Sequence, residues 1–504
     1  MFGATVGAFM AILNIQVVNA SLSDIRGAIG AGVDEGAWIT TAYLVAEVVA
    51  IPLTGWLAAA LSTRRYLLGS AVLFLVFSVG CAFATSLGQM VTLRALQGFF
   101  GGVLIPMAFV LIVRLLPPAK VVIGMAMFSV CATLGPVVGP SAGGFLNNAF
   151  GWQAVFLLNL APGGLMLVML FFSLEREPMQ LGLLRHGDWW GILTVSLGLG
   201  ALQTVLEEGE KNDWLASPFI SRLAAVAAVC LVGFVWIELR AARPLVNLRL
   251  LMRRNFLGAA LGTFALGVVM YGTIFVLPVY LAEVQRYNSA QIGAVLLWTG
   301  LPQLLVIPFL PLLMRRLDAR WLIVLGLLLW AASNFMNVTI SPAVGGEQLL
   351  LPNVVRAIGQ ALVMTPITVL AAAGIEDENA ASASALVNVI RNLGGAVGIA
   401  ALQTFLVRRE QFHIQMLGQS VSMFDENTRR NLEELAQYFL SQGVSDPGLA
   451  LQKALVAIGQ RVRLEAYTMA FGDIFFVLGG VLLAAVLSVL LLKKPGALSI
   501  GGDH

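Results

Sequence analysis

The sequence predicts an all-α membrane protein of fourteen transmembrane helices. Three observations carry that prediction. Of 504 residues, 59% are hydrophobic and 11% charged, whereas soluble domains carry about a quarter of charged residues. The mean hydropathy is +0.87. Apolar runs of about 18 residues or more, long enough to cross a bilayer's hydrocarbon core, recur from end to end with no soluble domain between them. A single apolar core in water stops growing near roughly 250–300 residues, so the lipid bilayer is the solvent here.

In chain order the first seven spans fall near 3–22, 38–60, 66–86, 88–112, 121–146, 152–173 and 189–206. The other seven fall near 219–239, 255–282, 289–313, 320–339, 349–374, 381–407 and 467–492. Basic residues mark every second connection except the one after the twelfth span. Arg64 and Arg65 follow the second span, Arg114 and Lys120 the fourth, and Arg176 and Arg185 the sixth. Arg240, Arg243, Arg249, Arg253 and Arg254 follow the eighth, Arg315, Arg316 and Arg320 the tenth, and Lys493 and Lys494 the last. The short loops among the alternate connections hold only Arg26, Lys211, Arg222 and Arg286. Basic residues beside spans are retained in the cytoplasm, so both termini are expected there, as an even number of spans requires. The acidic run Glu376, Asp377, Glu378 lies in a cytoplasmic loop and weighs little in this rule. The apolar stretch from Met1 lacks a charged leader and a cleavage site, and reads as the first span rather than a removable signal.

The chain also repeats itself, as many carriers do. Ile51-Pro52 through Arg64 matches Ile307-Pro308 through Arg320, and Arg94-Ala95-Leu96-Gln97-Gly98 with Pro106 is echoed by Arg356-Ala357-Ile358-Gly359-Gln360 with Pro366. Both echoes cross the membrane in the same sense, which predicts parallel repeats. The expected organisation is an N-terminal six-helix half at 1–175, an inserted helix pair with its linkers at 176–250, a C-terminal six-helix half at 251–494, and a cytoplasmic tail at 495–504. The second half includes an outer loop at 408–466, in which Asn427–Leu440 and Pro447–Val462 predict short helices. That loop reads either as a solvated cap or as a docking surface for a periplasmic partner.

A charge in the hydrocarbon core costs at least a few kcal/mol and needs a reason. Glu47, Arg94, Arg356 and Arg391 meet that description. At 1.5 Å per residue, Glu47 lies about 13 Å deep, Arg94 about 10 Å and Asn14 about 12 Å, so the three share one layer. An acid that loses and regains a proton as it faces alternate sides is what proton coupling needs, and a neighbouring arginine tunes it. Glu47 is the carrier the sequence offers, with Arg94 as its neighbour; the competing reading is a permanent Glu47–Arg94 ion pair that only fixes packing. Arg356 sits at the matching depth of the second half without an acid clearly opposite. A role towards a substrate anion and structural bonding to backbone carbonyls are both open for it. Asn388, Arg391 and Asn392 in the thirteenth span, and Gln97 in the fourth, complete the residues that line a cavity in this reading.

Leu134–Leu146 reads LGPVVGPSAGGFL, with Gly135, Gly139 and Gly143 four apart on one face, where small residues let helices approach closely. Pro136 and Pro140 kink the same helix. Enzyme signatures are missing: there is no Walker loop and no HExxH, and His186, His413 and His504 are the only imidazoles. Cys81, Cys131 and Cys230 fall inside spans without paired spacing, so no metal or disulfide is expected, nor any cofactor. A scattered net charge of +3 excludes nucleic acid as a partner.

With these motifs in view, the chain resembles the fourteen-span drug:proton antiporters of the major facilitator superfamily, its EmrB/QacA branch. LGPVVGPSAGGFL, including Gly144, resembles the antiporter motif of the fifth span, and LRALQGFFGG (Leu93–Gly102) the fourth-span motif with Arg94. Ile51–Arg65 resembles the loop motif between spans 2 and 3, Asn14–Leu22 the first-span signature, and Ser384–Gly398 the EmrB type. The resemblance implies the major facilitator fold and proton-coupled efflux of hydrophobic or amphipathic drugs across a bacterial inner membrane. It also implies a periplasmic adaptor and an outer-membrane channel as partners. Two departures stand out: Asn14 replaces the acid of the first-span signature and Ala59 that of the loop motif. The expectation is that Glu47 has taken over the acid. Asn14 keeps open a specific metabolite or siderophore exporter, or an uncoupled facilitator; a non-transporting scaffold or sensor would need no titratable core acid.

Overall fold

The computed structural model describes residues 2–185, 187–241, 244–372, 375, 379–421, 425–490 and 492. Arg243, His186, the Glu376–Glu378 run, Lys493, Lys494 and the tail at 495–504 lie outside the described residues. Among those described, fourteen helices are long and apolar enough to cross a membrane. Spans 1–6 are Phe2–Ala20, Glu35–Leu61, Thr63–Ala82, Leu87–Leu115, Ile123–Phe150 and Gln153–Ser173. Spans 7 and 8 are Trp189–Glu208 and Pro218–Arg240. Spans 9–14 are Arg254–Glu283, Gln291–Arg316, Ala319–Met336, Leu350–Ala371, Ala380–Gln419 and Pro447–Val489.

Local chemistry sets their starts. Ser86, Asp188 and Asp318 accept backbone N–H bonds at the heads of spans 4, 7 and 11, and Asn288 with Gln291 forms a reciprocal capping box at span 10. Pro218 and Pro447 occupy first-turn positions, where the missing N–H is no loss. Pro308 and Pro311 interrupt span 10 with a 3₁₀ turn at Ile307–Phe309. An even number of crossings returns the chain to its starting face, called here the terminal face. There Arg64 donates to the Leu174 and Phe171 carbonyls (both 2.8 Å) and Arg254 to that of Leu490 (3.1 Å), satisfying orphan carbonyls at the ends of spans 6 and 14.

The six-helix halves repeat one packing scheme: span 1 packs on span 5 as span 9 packs on span 13, and spans 2 and 4 pair as spans 10 and 12 do. Glycine makes both close seams. A Cβ on Gly139 would stand 2.3 Å from Gln16 Cβ, and one on Gly143 2.7 Å from the Val17 carbonyl oxygen. In the second half, Gly394, Gly395 and Gly398 of span 13 meet Phe264, Tyr271 and Val268 of span 9 in the same way. The antiporter-like motif is therefore the surface on which span 5 holds span 1, as its spacing predicts.

The halves touch on both faces. Towards the terminal face, Gly55 of span 2 packs on Ala381 of span 13, and Ser384 Oγ donates to the Pro106 carbonyl (3.1 Å). Towards the far face, Gly293 and Gly300 of span 10 pack on Ser141 and Val137 of span 5. Span 7 lies along the seam and contacts spans 2 and 13, one from each half. Thr41 Oγ1 donates to Glu208 (2.8 Å) and Trp214 Nε1 to Thr404 (3.0 Å), pinning the far end of span 7 to both. Span 8 packs on span 7 and presents Val229, Val232 and Trp236 to lipid.

The region at 408–466 differs from its expected form. A helix at Glu426–Ser441 is present, but Pro447–Val462 is not a separate helix. It is the start of one 43-residue helix running to Val489, and span 13 is one 41-residue helix running to Ser420. No proline interrupts either run. Polar contacts replace apolar ones where the two helices leave the membrane: Arg409 pairs with Asp473 (2.6 Å), His413 Nε2 lies 2.7 Å from the same carboxylate, and Arg463 pairs with Glu410 (3.1 Å).

Candidate functional site

Arg94 is wholly buried, and its partners are neutral. Nη1 donates to Asn14 Oδ1 (2.9 Å) and Gln97 Oε1 (2.6 Å), and Nε to the Ile39 carbonyl (3.3 Å). The guanidinium lies 4.1 Å from the centre of the Tyr43 ring, a cation–π contact. Gln97 Oε1 also accepts from the Cys81 thiol at 3.8 Å. Gly98 and Gly102 make this socket possible by bringing span 4 onto the backbone of span 2 at Tyr43 and Glu47. Asn14, Arg94 and Gln97 are thus brought together as one layer.

Glu47 shares the layer without bonding to it. It is 2% exposed, and among the described residues it makes no hydrogen bond and no direct ion pair. The positive charges of Arg391, from the opposite half, and of Arg94 both reach its carboxylate. The permanent Glu47–Arg94 ion pair is not formed: Arg94 bonds to Asn14, Gln97 and Ile39 through Nη1 and Nε, and its Nη2 is buried without a partner. Span 2 faces span 13 across the seam, so the acid of the first half looks to a cation of the second.

On that second side, Arg391 Nη2 donates to Asn388 Oδ1 (2.6 Å), and Asn388 Nδ2 donates to the Ser384 carbonyl (2.8 Å). Arg391 and Asn388 are buried and Asn392 is half-buried. Tyr271 of span 9 lies within electrostatic reach of both Arg391 and Glu47 and packs on Gly395. Arg356 stands apart from this cluster. It lines a separate cavity of about 20 Å³ with Gln360, Thr299 and the apolar side chains of spans 5 and 9. Gly135, Gly139 and Gly143 belong to the span 1 seam rather than to a cavity; Gly144 is buried and Pro140 half-buried on the same helix.

Sequence reasoning missed Tyr43, Tyr271, Thr299 and Gln360. Two had a signal: Tyr43 precedes Glu47 by four residues and Gln360 follows Arg356 by four, so each shares a helix face with a charge already singled out. Tyr271 and Thr299 reach the site only through tertiary packing.

The model of the Major Facilitator Superfamily matches residues 4–399. The chain belongs to the major facilitator superfamily. This transporter is 32% identical to the colistin resistance protein EmrB of Acinetobacter baumannii over 93% of its own length and 91% of that protein's. It is 28% identical to the multidrug export protein EmrB of Escherichia coli strain K12 (99% and 96% covered) and 29% identical to the fatty acid resistance protein FarB of Neisseria gonorrhoeae (98% and 96%). Among solved structures it resembles the proton:xylose symporter XylE, with a TM-score of 0.61 at 14% identity over 96% of this chain and 93% of that one. It also resembles the human organic anion transporter MFSD10, with a TM-score of 0.57 at 15% identity over 98% of each. At those identities the structures establish the fold. The transporter is a multi-pass protein of a bacterial inner membrane and not an enzyme.

Proposed function

We propose that this transporter exports hydrophobic or amphipathic drugs and toxic compounds by alternating access, in exchange for protons carried by Glu47. The observation that carries the proposal is a buried carboxylate on the seam, free of hydrogen bonds among the described residues and under the charge of Arg391 from the opposite half. Ionised, Glu47 draws span 13 towards span 2. Protonated, it no longer does; a charge pair 4 Å apart is worth about 4 kcal/mol at an effective dielectric constant of about 20, which sets the upper scale of the switch. A swing of that size moves a two-state equilibrium from one side to the other. The names of the EmrB relatives support export as the direction. The basic connections on the terminal face support cytoplasmic termini.

Drug-driven proton movement in proteoliposomes tests this. Glu47→Gln should bind drug yet release no protons on drug addition; if it exchanges protons as wild type does, Glu47 is not the carrier.

The far-face projection of spans 13 and 14 supports a partner as well. Phe412, Met416, Tyr438, Leu455 and Val456 are exposed there, beyond the apolar part of the spans, and exposed apolar surface in water marks interaction sites. A periplasmic adaptor leading to an outer-membrane channel is the partner we infer. Co-purification that retains the adaptor after deletion of residues 420–460 would remove the projection from that role.

A further inference from the structure

Arg94 and Arg356 occupy corresponding places in the two repeats, and the structure treats them in opposite ways. Arg94 is held by two side-chain oxygens, a carbonyl and an aromatic ring. Arg356 is 4% exposed, and among the described residues it makes no hydrogen bond and no ion pair; its Nε is buried without a partner. A buried guanidinium with neither a counter-ion nor a hydrogen-bond partner is strongly unfavourable, so a place that keeps one suits an anion.

The cavity that Arg356 lines divides by chemistry. Gln360, one turn along span 12, and Thr299 of span 10 share the polar side with it. Nearby, Gln303 has a buried Oε1 without a partner. Ala132 and Val137 of span 5, with Met270 and Ile274 of span 9, form the apolar side. At about 20 Å³ the cavity holds one water. Its outer wall is the contact of Gly300 with Val137, a contact between halves that must part in an alternating-access cycle. Further along the same two spans, towards the terminal face, lies a groove of about 480 Å³ lined by Met127, Val130, Pro308 and Leu312, with Arg315 at its edge. Polar head site and apolar track therefore follow one another between spans 5 and 10.

We propose that Arg356, with Gln360 and Thr299, is the recognition site for a single anionic group carried on an apolar chain, and that this transporter prefers amphipathic anions to amphipathic cations. This rests on the exporter reading and names its substrate class. The chain lies between spans 5 and 10 while the anion neutralises Arg356. A free amphiphile and an anionic phospholipid share this chemistry.

The test uses full-length protein in nanodiscs of zwitterionic lipid and three probes with the same tail and no titratable group near neutral pH: dodecane-1-sulfonate, dodecyltrimethylammonium and dodecanol. Wild type should bind the sulfonate at least tenfold more tightly than the other two. Arg356→Gln should lose about ten- to a hundredfold in sulfonate affinity, the range for a hydrogen-bonded charge, with dodecanol binding unmoved. Arg356→Lys should retain the preference for the anion. Because Arg356 makes no hydrogen bond or ion pair among the described residues, Arg356→Gln should melt no lower than wild type, which separates recognition from a folding role. Equal affinity for the three probes in wild type, or an undiminished anion preference in Arg356→Gln, overturns the proposal. Loss of sulfonate binding in nanodiscs containing phosphatidylglycerol would identify the lipid headgroup as the occupant and still support the site. Export is read separately, from drug extrusion by wild type in vesicles, so the exporter reading fails only if that is absent.

Discussion

Replacing Asn14 by alanine removes a hydrogen bond for which Arg94 has no substitute. Nη1 of Arg94 donates to Asn14 at 2.9 Å in a socket closed to water. Neutral side-chain bonds between membrane helices average about 0.6 kcal/mol and reach about 1.7 kcal/mol, whereas a bond to an ionised group contributes about 1.5–3 kcal/mol. The coupling between the two residues should therefore be about 1.5–2 kcal/mol. A double-mutant cycle of Asn14→Ala, Arg94→Met and the pair, read from unfolding free energies in bicelles, measures it. Methionine keeps most of the arginine stem's volume, so the cycle isolates the charge and its bonds. The single Arg94→Met should itself cost about 1–3 kcal/mol, because Asn14 Oδ1 is left unpaired and Gln97 Oε1 keeps only the weak bond from the Cys81 thiol. A coupling below about 0.5 kcal/mol, within the additivity expected of independent sites, would refute the socket as the reason Arg94 is tolerated.

The other predictions concern packing and capping. Gly143→Ala sets a methyl 2.7 Å from the Val17 carbonyl oxygen and should destabilise by about 1–3 kcal/mol. Gly418→Ala, with open space around it in the projecting part of span 13, should be neutral or stabilise by up to about 1 kcal/mol; thermal unfolding of the two variants compares them directly. Asp425 caps the helix at Glu426–Ser441, and bonds from the Thr428 N–H and hydroxyl hold its carboxyl below the ordinary value. A depressed value means the cap stabilises at pH above about 3.9 and is lost as pH falls below it. The protection of the first-turn amides against hydrogen exchange, relative to their intrinsic rates, should fall in that acid window, and in Asp425→Ala at neutral pH.

The spans were legible because the bilayer demands long apolar runs, and a run of that length has few other readings. The ends of spans 13 and 14 were not. Arg408, Arg409 and Glu410 end the apolar run, yet the helix continues because ion pairs to the neighbouring helix and the absence of proline sustain it past the membrane. Depth along a helix correctly brought Asn14 and Arg94 to one layer, since a rise of 1.5 Å per residue survives any packing. Azimuth was not available from depth. Whether Glu47 turns towards Arg94 or away depends on how span 2 is rotated against spans 4 and 13, and Gly98, Gly102 and Gly55 decide that by their close approaches. The role of the inserted pair was hidden for the same reason: hydropathy marks span 7 as a membrane helix but says nothing of its lying across the seam.

From Arg391 at the seam to Ser420 at the tip of the projection, span 13 is one unbroken helix, about 44 Å of rigid rod. A rod pivoting at the seam by about 10° carries its free end through roughly 7–8 Å. A small rotation at the seam is thus enlarged in the water beyond the membrane. A spectroscopic label on the tip would read such a rotation at several times its size at the seam. Whatever grips that tip, in turn, sets the mechanical load against which each cycle of transport is completed.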